Sequence, residues 1–466
     1  MTDTDSKPTG TPPTNGHKDS KPATVPHVVI VGGGFGGLTA AKKLGKQPVQ
    51  VTLIDRSNYH LFQPMLYQVS TSGLAPADIA APIRDTLHKH KKNTRVLMEE
   101  VTGVDTQQQL VFMQNQQPIH YEYLILATGA STNYLSHPEW ESRSPGMKTL
   151  ADGLEVQQTI LGAFEAAEKE PDEKKRKRLL TFVFIGAGPT GVELAAASAV
   201  HIRHILSGNF QRIGPGDARL VIVQGPPRVL PTFRPELTKK VEKKLKELGV
   251  EIITGVHVTE MDEHGVTVGD EYIETENVFW LAGVKASPAG QWLGAEVDRG
   301  GRVKVQSDLT VPGHPNIFVI GDTACVMQDG KPLPGVAQPA MQGGHYAASV
   351  IADRVAGKQH QEPFKYFDKG SMAVVGGTYA VVESGPIHTA GFFGFIMWVF
   401  LHIYYLIGYR NRLQVLLSYF FAYFSAFRRK GGTRIIMLGR KQAITYQQQA
   451  RTLDKPEAHT LDKTAT

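Results

Sequence analysis

Among 466 residues the chain has a single cysteine, Cys325. One thiol excludes a disulfide scaffold, and it excludes any reaction that needs a dithiol relay within one chain. The chain also lacks a basic block interleaved with aromatics, so its formal net charge of +6 does not point to nucleic acid. The cations gather instead near residues 174–178 and around residues 428–441, and the first run, "EKEPDEKKRKR", mixes signs like a solvated helix end or loop. The first 26 residues contain aspartates but no arginine and no apolar run, which argues against both a secretory signal and a mitochondrial presequence. Residues 1–26 and 447–466 read as disordered tails. No metal-ligand cluster is evident, and Cys325 reads as a buried structural thiol.

What the chain does have is a glycine-rich turn, used twice. "HVVIVGGGFGGLTAAKKL" runs an apolar strand, 28–31, into Gly32, Gly34 and Gly37, with Phe35 and Gly36 between them and a helix expected from near Leu38. Glycines at this spacing permit a tight turn, close approach of backbone N–H groups to a pyrophosphate, and close packing of helix on strand. The next strand, "VQVTLIDR", ends in Asp55, where a carboxylate accepts hydrogen bonds from a ribose diol. "RLLTFVFIGAGPTGVELAAASAV" repeats the unit with Gly186, Gly188 and Gly191, and its helix carries Thr190 and Glu193. Each unit is followed by a buried strand that ends near a glycine, Gly129 after Thr128 in "LATGAST" and Gly283 in "WLAGVKASP". "NIFVIGDTAC" places Asp322 at a strand end, where it suits either a ribityl hydroxyl or a helix cap.

In this order the motifs resemble the two-dinucleotide-binding-domain flavoproteins over about residues 26–354. "DRSNYHLFQPMLYQVSTSGL", "GAGPTGVELA", "WLAGVKASP" and "AQPAMQGG" make the chain similar to the type II NADH dehydrogenases, single-subunit NAD(P)H:quinone oxidoreductases. The resemblance implies FAD on the first unit, held by the Gly32–Gly37 turn, Asp55, Gln63, Thr128, Gly129, Asp322 and Ala337. It implies the nicotinamide cofactor on the second, held by the Gly186–Gly191 turn, Thr190, Gln224 and Gly283. Hydride then passes to the flavin and two electrons pass on to a membrane quinone, without proton pumping. The implied fold class is α/β: two Rossmann-like dinucleotide-binding domains plus a C-terminal helical membrane-association region. The expected boundaries are 27–147 with 303–370 for FAD, 148–302 for NAD(P)H, and 371–446 for membrane association and dimerisation.

Four side chains carry further expectations. In "VAQPAMQGGHYAASVIADRV", Gln338 and Gln342 lie one helical turn apart, and Pro339 suits a first turn. Both amides are read as neutral donors to a quinone carbonyl, or as groups that cap the helix or bond to backbone. Glu193 is either a first-turn acid complementing the helix dipole or, as the resemblance implies, a group that positions cofactor or relays protons. Gln224 stands where the resemblance expects an acid, and an amide does not repel a 2′-phosphate, so NADPH is expected as a substrate beside NADH.

Residues 391–409, "GFFGFIMWVFLHIYYLIGY", are uncharged and long enough to be considered a membrane span. The following "RNRLQVLLSYFFAYFSAFRRK" sets Asn411, Gln414, Ser418 and Ser425 along one stripe, an amphipathic pattern flanked by cations. We read the pair as monotopic, lying on the cytoplasmic face of a bacterial cell membrane and supporting a homodimer. A sulfide:quinone oxidoreductase or a disulfide reductase would need more cysteine than Cys325 supplies. A redox sensor that binds FAD and NAD(P)H, or a soluble diaphorase, remains as an alternative.

Overall fold

The computed structural model describes residues 25–206, 209–214, 216–360 and 362–424. Residues 1–24 of the expected N-terminal tail, the tail at 447–466, Ser425 and the cations at 428–441 lie outside the described residues.

Two parallel sheets organise the chain. The first has the order Thr310–Val311, His314–Val319, Tyr123–Leu126, His27–Val31, Gln50–Asp55, Thr94–Met98, with only the Thr310–Val311 edge antiparallel. The second has the order Val250–Thr254, Arg219–Gln224, Thr181–Ile185, Asn277–Trp280, all parallel. Both central strands are almost wholly apolar and buried, as strands covered on both faces must be. Directly after their glycines, the two crossing segments pair antiparallel, Ala130–Thr132 against Val284–Ala286, and so stitch the units together.

Helix follows each glycine turn, at Phe35–Leu44 and Pro189–Leu206. The first starts three residues before the expected Leu38, because Gly36 and Gly37 are recruited into its opening turn. There a Cβ on Gly37 would collide with the Gly32 carbonyl, and Gly32 itself sits at φ +103. Gly191 and Gly186 repeat that arrangement. The helix Ala337–Val355 lies across Phe35–Leu44 so closely that a side chain on Gly344 would strike the Gly36 carbonyl. The mixed-sign run forms a helix, Glu173–Leu179, with no buried residue.

A three-stranded antiparallel sheet, Ser371–Val374, Ala380–Ser384 and Ile387–Gly391, leads into two C-terminal helices, Phe392–Tyr405 and Tyr409–Phe424. The first helix ends at Tyr405, after 14 residues, a length of about 21 Å against an apolar bilayer core of about 30 Å. Leu406 is extended and Gly408 has φ +89, so the chain turns rather than continuing to Tyr409 as one span. No helix among the described residues is long and apolar enough to cross a membrane. On the second helix the apolar positions divide between the core and the surface. Val415 and Tyr419 face inward, and Leu413, Leu416, Leu417, Phe420 and Phe421 stay exposed.

Candidate functional site

The two glycine turns do the same work in the same way. Asp55 closes its strand with Oδ2 accepting from the Gly33 N–H at 2.6 Å and Oδ1 accepting from the Ser57 N–H at 2.6 Å. Burial pushes its carboxyl upward, and the two backbone donors oppose that shift. Gln224, at the matching strand end, accepts from the Ala187 N–H through Oε1 at 2.7 Å. The amide therefore reproduces the carboxylate's bond to the turn and leaves out its charge. Gly34 and Gly188 would each carry a Cβ into open space, so at these positions the turns present bare backbone to a ligand.

One cavity of about 440 Å³ joins the units. From the first turn it is lined by Gly34, Phe35 and Gly36, and by Gln63, Thr128 and Gly129. From the second turn it is lined by Pro189, Thr190 and Glu193, and opposite them by Asp322, Ala337 and Gln338. Gly32, Gly37, Gly186 and Gly191 stand behind it as backbone supports, and Asp55, Gln224 and Gly283 lie outside its wall. Gln342 is not brought there. Its Nε2 donates to the Phe367 carbonyl at 2.9 Å and its Oε1 accepts from the Phe367 N–H at 2.9 Å, so both ends of the amide are spent on backbone. This corrects its reading as a quinone donor: Gln342 takes the backbone-bonded alternative and pins the segment leading to Gly370.

Glu193 is buried, with Oε1 accepting from the Val374 N–H at 3.2 Å. Burial pushes its carboxyl up to about 8, and the single backbone donor does not offset the lost hydration. It is thus largely protonated at neutral pH and able to donate a hydrogen bond.

Several lining residues were not found from the sequence. The Lys148 ammonium faces Asp322 at 3.7 Å. His402 stacks on Trp398 at 4.0 Å and donates through Nδ1 to the Trp398 carbonyl at 2.7 Å, leaving Nε2 as an acceptor. Burial holds this ring down at about 4, hence neutral. The Tyr405 hydroxyl meets the Lys369 ammonium at 2.9 Å and also bonds to the Gln338 side chain. The Lys369 bond, the larger effect, lowers the phenol. His402 and Tyr405 come from the first C-terminal helix, so the apolar segment supplies a wall of the same cavity. Cys325 is buried and is not among the lining residues.

Two dinucleotide turns that converge on one cavity define an α/β pyridine-nucleotide flavin oxidoreductase, and residues 26–344 match the family described as pyridine nucleotide-disulphide oxidoreductase. A Mycobacterium tuberculosis protein named type II NADH:quinone oxidoreductase NdhA is 44% identical over 84% of this chain and 86% of its own. A second from that organism, named Ndh, is 43% identical over 86% and 89%. The solved structure of NDH2 from Plasmodium falciparum in complex with NADH has a TM-score of 0.81 at 21% identity, covers 88% of this chain and 99% of its own, and shares the fold. The chain belongs to the type II NADH:quinone oxidoreductase family, enzymes whose common function is quinone reduction.

Proposed function

We propose that this chain binds FAD on its first glycine turn, takes hydride from NADH or NADPH held on the second, and delivers two electrons to a membrane quinone. A single observation carries the reading: one cavity is walled at once by both turns and by the apolar helix Phe392–Tyr405. The residues suit an elongated dinucleotide, with Asp55 for the adenosine ribose, the bare backbone at Gly34 for the pyrophosphate, and Asp322 for the ribityl chain. FAD bound there would supply the hydride acceptor and the two-electron donor.

The chain's own work is positioning and proton control. Thr190 and Glu193 flank the nicotinamide side, and the neutral Glu193 carboxyl can hold a proton without placing a charge beside the rings. Gln338 sits in the first turn of Ala337–Val355 and, with the Tyr405 hydroxyl, offers polar contact to a quinone carbonyl. His402 adds a neutral acceptor to the wall that the apolar helix supplies. Gln224 supports the use of NADPH, because its strand end bears an amide where Asp55 bears a carboxylate.

The two C-terminal helices lie on the bilayer with Phe400 (74% exposed), Tyr409 (88%) and Leu413 (58%) turned to lipid. We place that surface on the cytoplasmic leaflet and assign self-association into a homodimer to the same region. Stopped-flow kinetics of Gln338→Leu tests the site: oxidation by quinone should slow about tenfold or more while reduction by NADH stays within twofold. Equal loss in both half-reactions would remove Gln338 from the quinone step.

A further inference from the structure

Lys42 presents a problem the redox site does not explain. It lies in the last turn of Phe35–Leu44 and is half-buried, yet its ammonium makes no hydrogen bond or ion pair among the described residues. Its neighbour Lys43, by contrast, is held by His345 and Ser349. An ammonium withdrawn from water without a partner is costly.

The surrounding geometry brings up a second cation. Ile407, in the bend between the C-terminal helices, packs on the cluster that contains Leu38, Ala41 and Leu44 of the Lys42 helix. Arg412 folds back onto this bend, with Nε donating to the Leu406 carbonyl at 2.7 Å and its guanidinium over the Tyr409 ring. Lys42 and Arg412 repel each other, and burial together with that repulsion lowers the lysine; among the described residues no carboxylate offsets it. Beside the pair runs the exposed apolar face of Tyr409, Leu413 and Leu416.

We propose that Lys42 and Arg412 form a binding site for the phosphate of an anionic phospholipid, whose acyl chains run along the exposed face of the helix Tyr409–Phe424. A phosphate supplies the counter-charge that neither cation finds among the described residues, and a guanidinium with two nitrogens beyond its committed Nε suits such an oxyanion. The apolar residues alongside select a lipid rather than a free anion. The site rests on the membrane docking proposed above and adds a headgroup preference to it.

Flotation of the FAD-loaded full chain with phosphatidylcholine vesicles, with and without phosphatidylglycerol, tests it. Wild type should bind both, and the anionic vesicles more tightly. Lys42→Gln and Arg412→Gln should each lose roughly fivefold of that anionic increment and leave binding to phosphatidylcholine alone unchanged, and Lys42→Gln should melt no lower than wild type. Lys46→Gln, an exposed cation at the end of the same helix, should keep most of the increment. Equal losses in the Lys42 and Lys46 variants would mean diffuse attraction and overturn the site. Abolition of the increment by inorganic phosphate at constant ionic strength would overturn the lipid assignment in favour of a free anion. Failure of wild type to bind phosphatidylcholine vesicles would strike the docking surface and not the headgroup preference.

Discussion

Replacing Glu193 by glutamine isolates the most unusual charge state in the cavity. Burial raises the carboxyl from 4.5 to about 8. In the window between those values the folded protein holds a proton that the unfolded chain has released, so stability falls as pH rises through it and levels off above. The full window corresponds to about 5 kcal/mol, of which about 2 kcal/mol falls between pH 6 and pH 8. Glutamine preserves an acceptor for the Val374 N–H and has nothing to titrate. Thermal midpoints of wild type and E193Q in matched buffers should therefore diverge, with wild type losing on the order of 2 °C more than the variant from pH 6 to pH 8. All other titrations cancel in the difference. Parallel slopes would mean that Glu193 is ionised or hydrated in the fold, and its role as a neutral proton holder would fall.

Three further outcomes follow from the same geometry. Gln224→Glu should lower kcat/KM for NADPH relative to NADH on the order of tenfold or more by placing a like charge near the 2′-phosphate, and steady-state rates with both nucleotides measure it. Gln342→Ala should cost about 1–2 kcal/mol through its two lost bonds to Phe367, read as a lower melting temperature, while a weakened quinone step with unchanged stability would restore it as a donor. Phe400→Ser should weaken binding to neutral vesicles about tenfold or more with little change in melting temperature, because the ring is 74% exposed and supports little of the core.

The parts of this molecule that were legible in sequence are those fixed by backbone sterics. Gly37 and Gly191 are demanded by the nearby carbonyls of Gly32 and Gly186, and Gly32 and Gly186 by their own positive φ of +103 and +108, so the spacing itself reports the turn. Asp55 and Gln224 bond to turns 22 and 37 residues away, but each closes the next strand of its own glycine-turn unit, so the repeated motif carries the pairing. What stayed hidden depends on distant segments meeting. Gln342 shares a helix face with Gln338, but its partner is the backbone of Phe367, 25 residues on, which no helical periodicity encodes. Lys148 and Tyr405 enter the cavity from elements with no motif of their own. The inward contacts of the second C-terminal helix were hidden for a related reason: Val415 and Tyr419 are buried while Leu413, Leu416, Leu417, Phe420 and Phe421 are not, and only the folded partners tell these apolar positions apart.

Steady-state oxidation of NADH by the purified, FAD-loaded chain, with and without a short-chain quinone, tests most directly whether the shared cavity couples the two dinucleotide turns to a quinone. Turnover should depend on the quinone and should fall sharply in Gln338→Leu. Flavin that NADH reduces but quinone does not reoxidise would contradict the account and favour a redox sensor that binds the same cofactors.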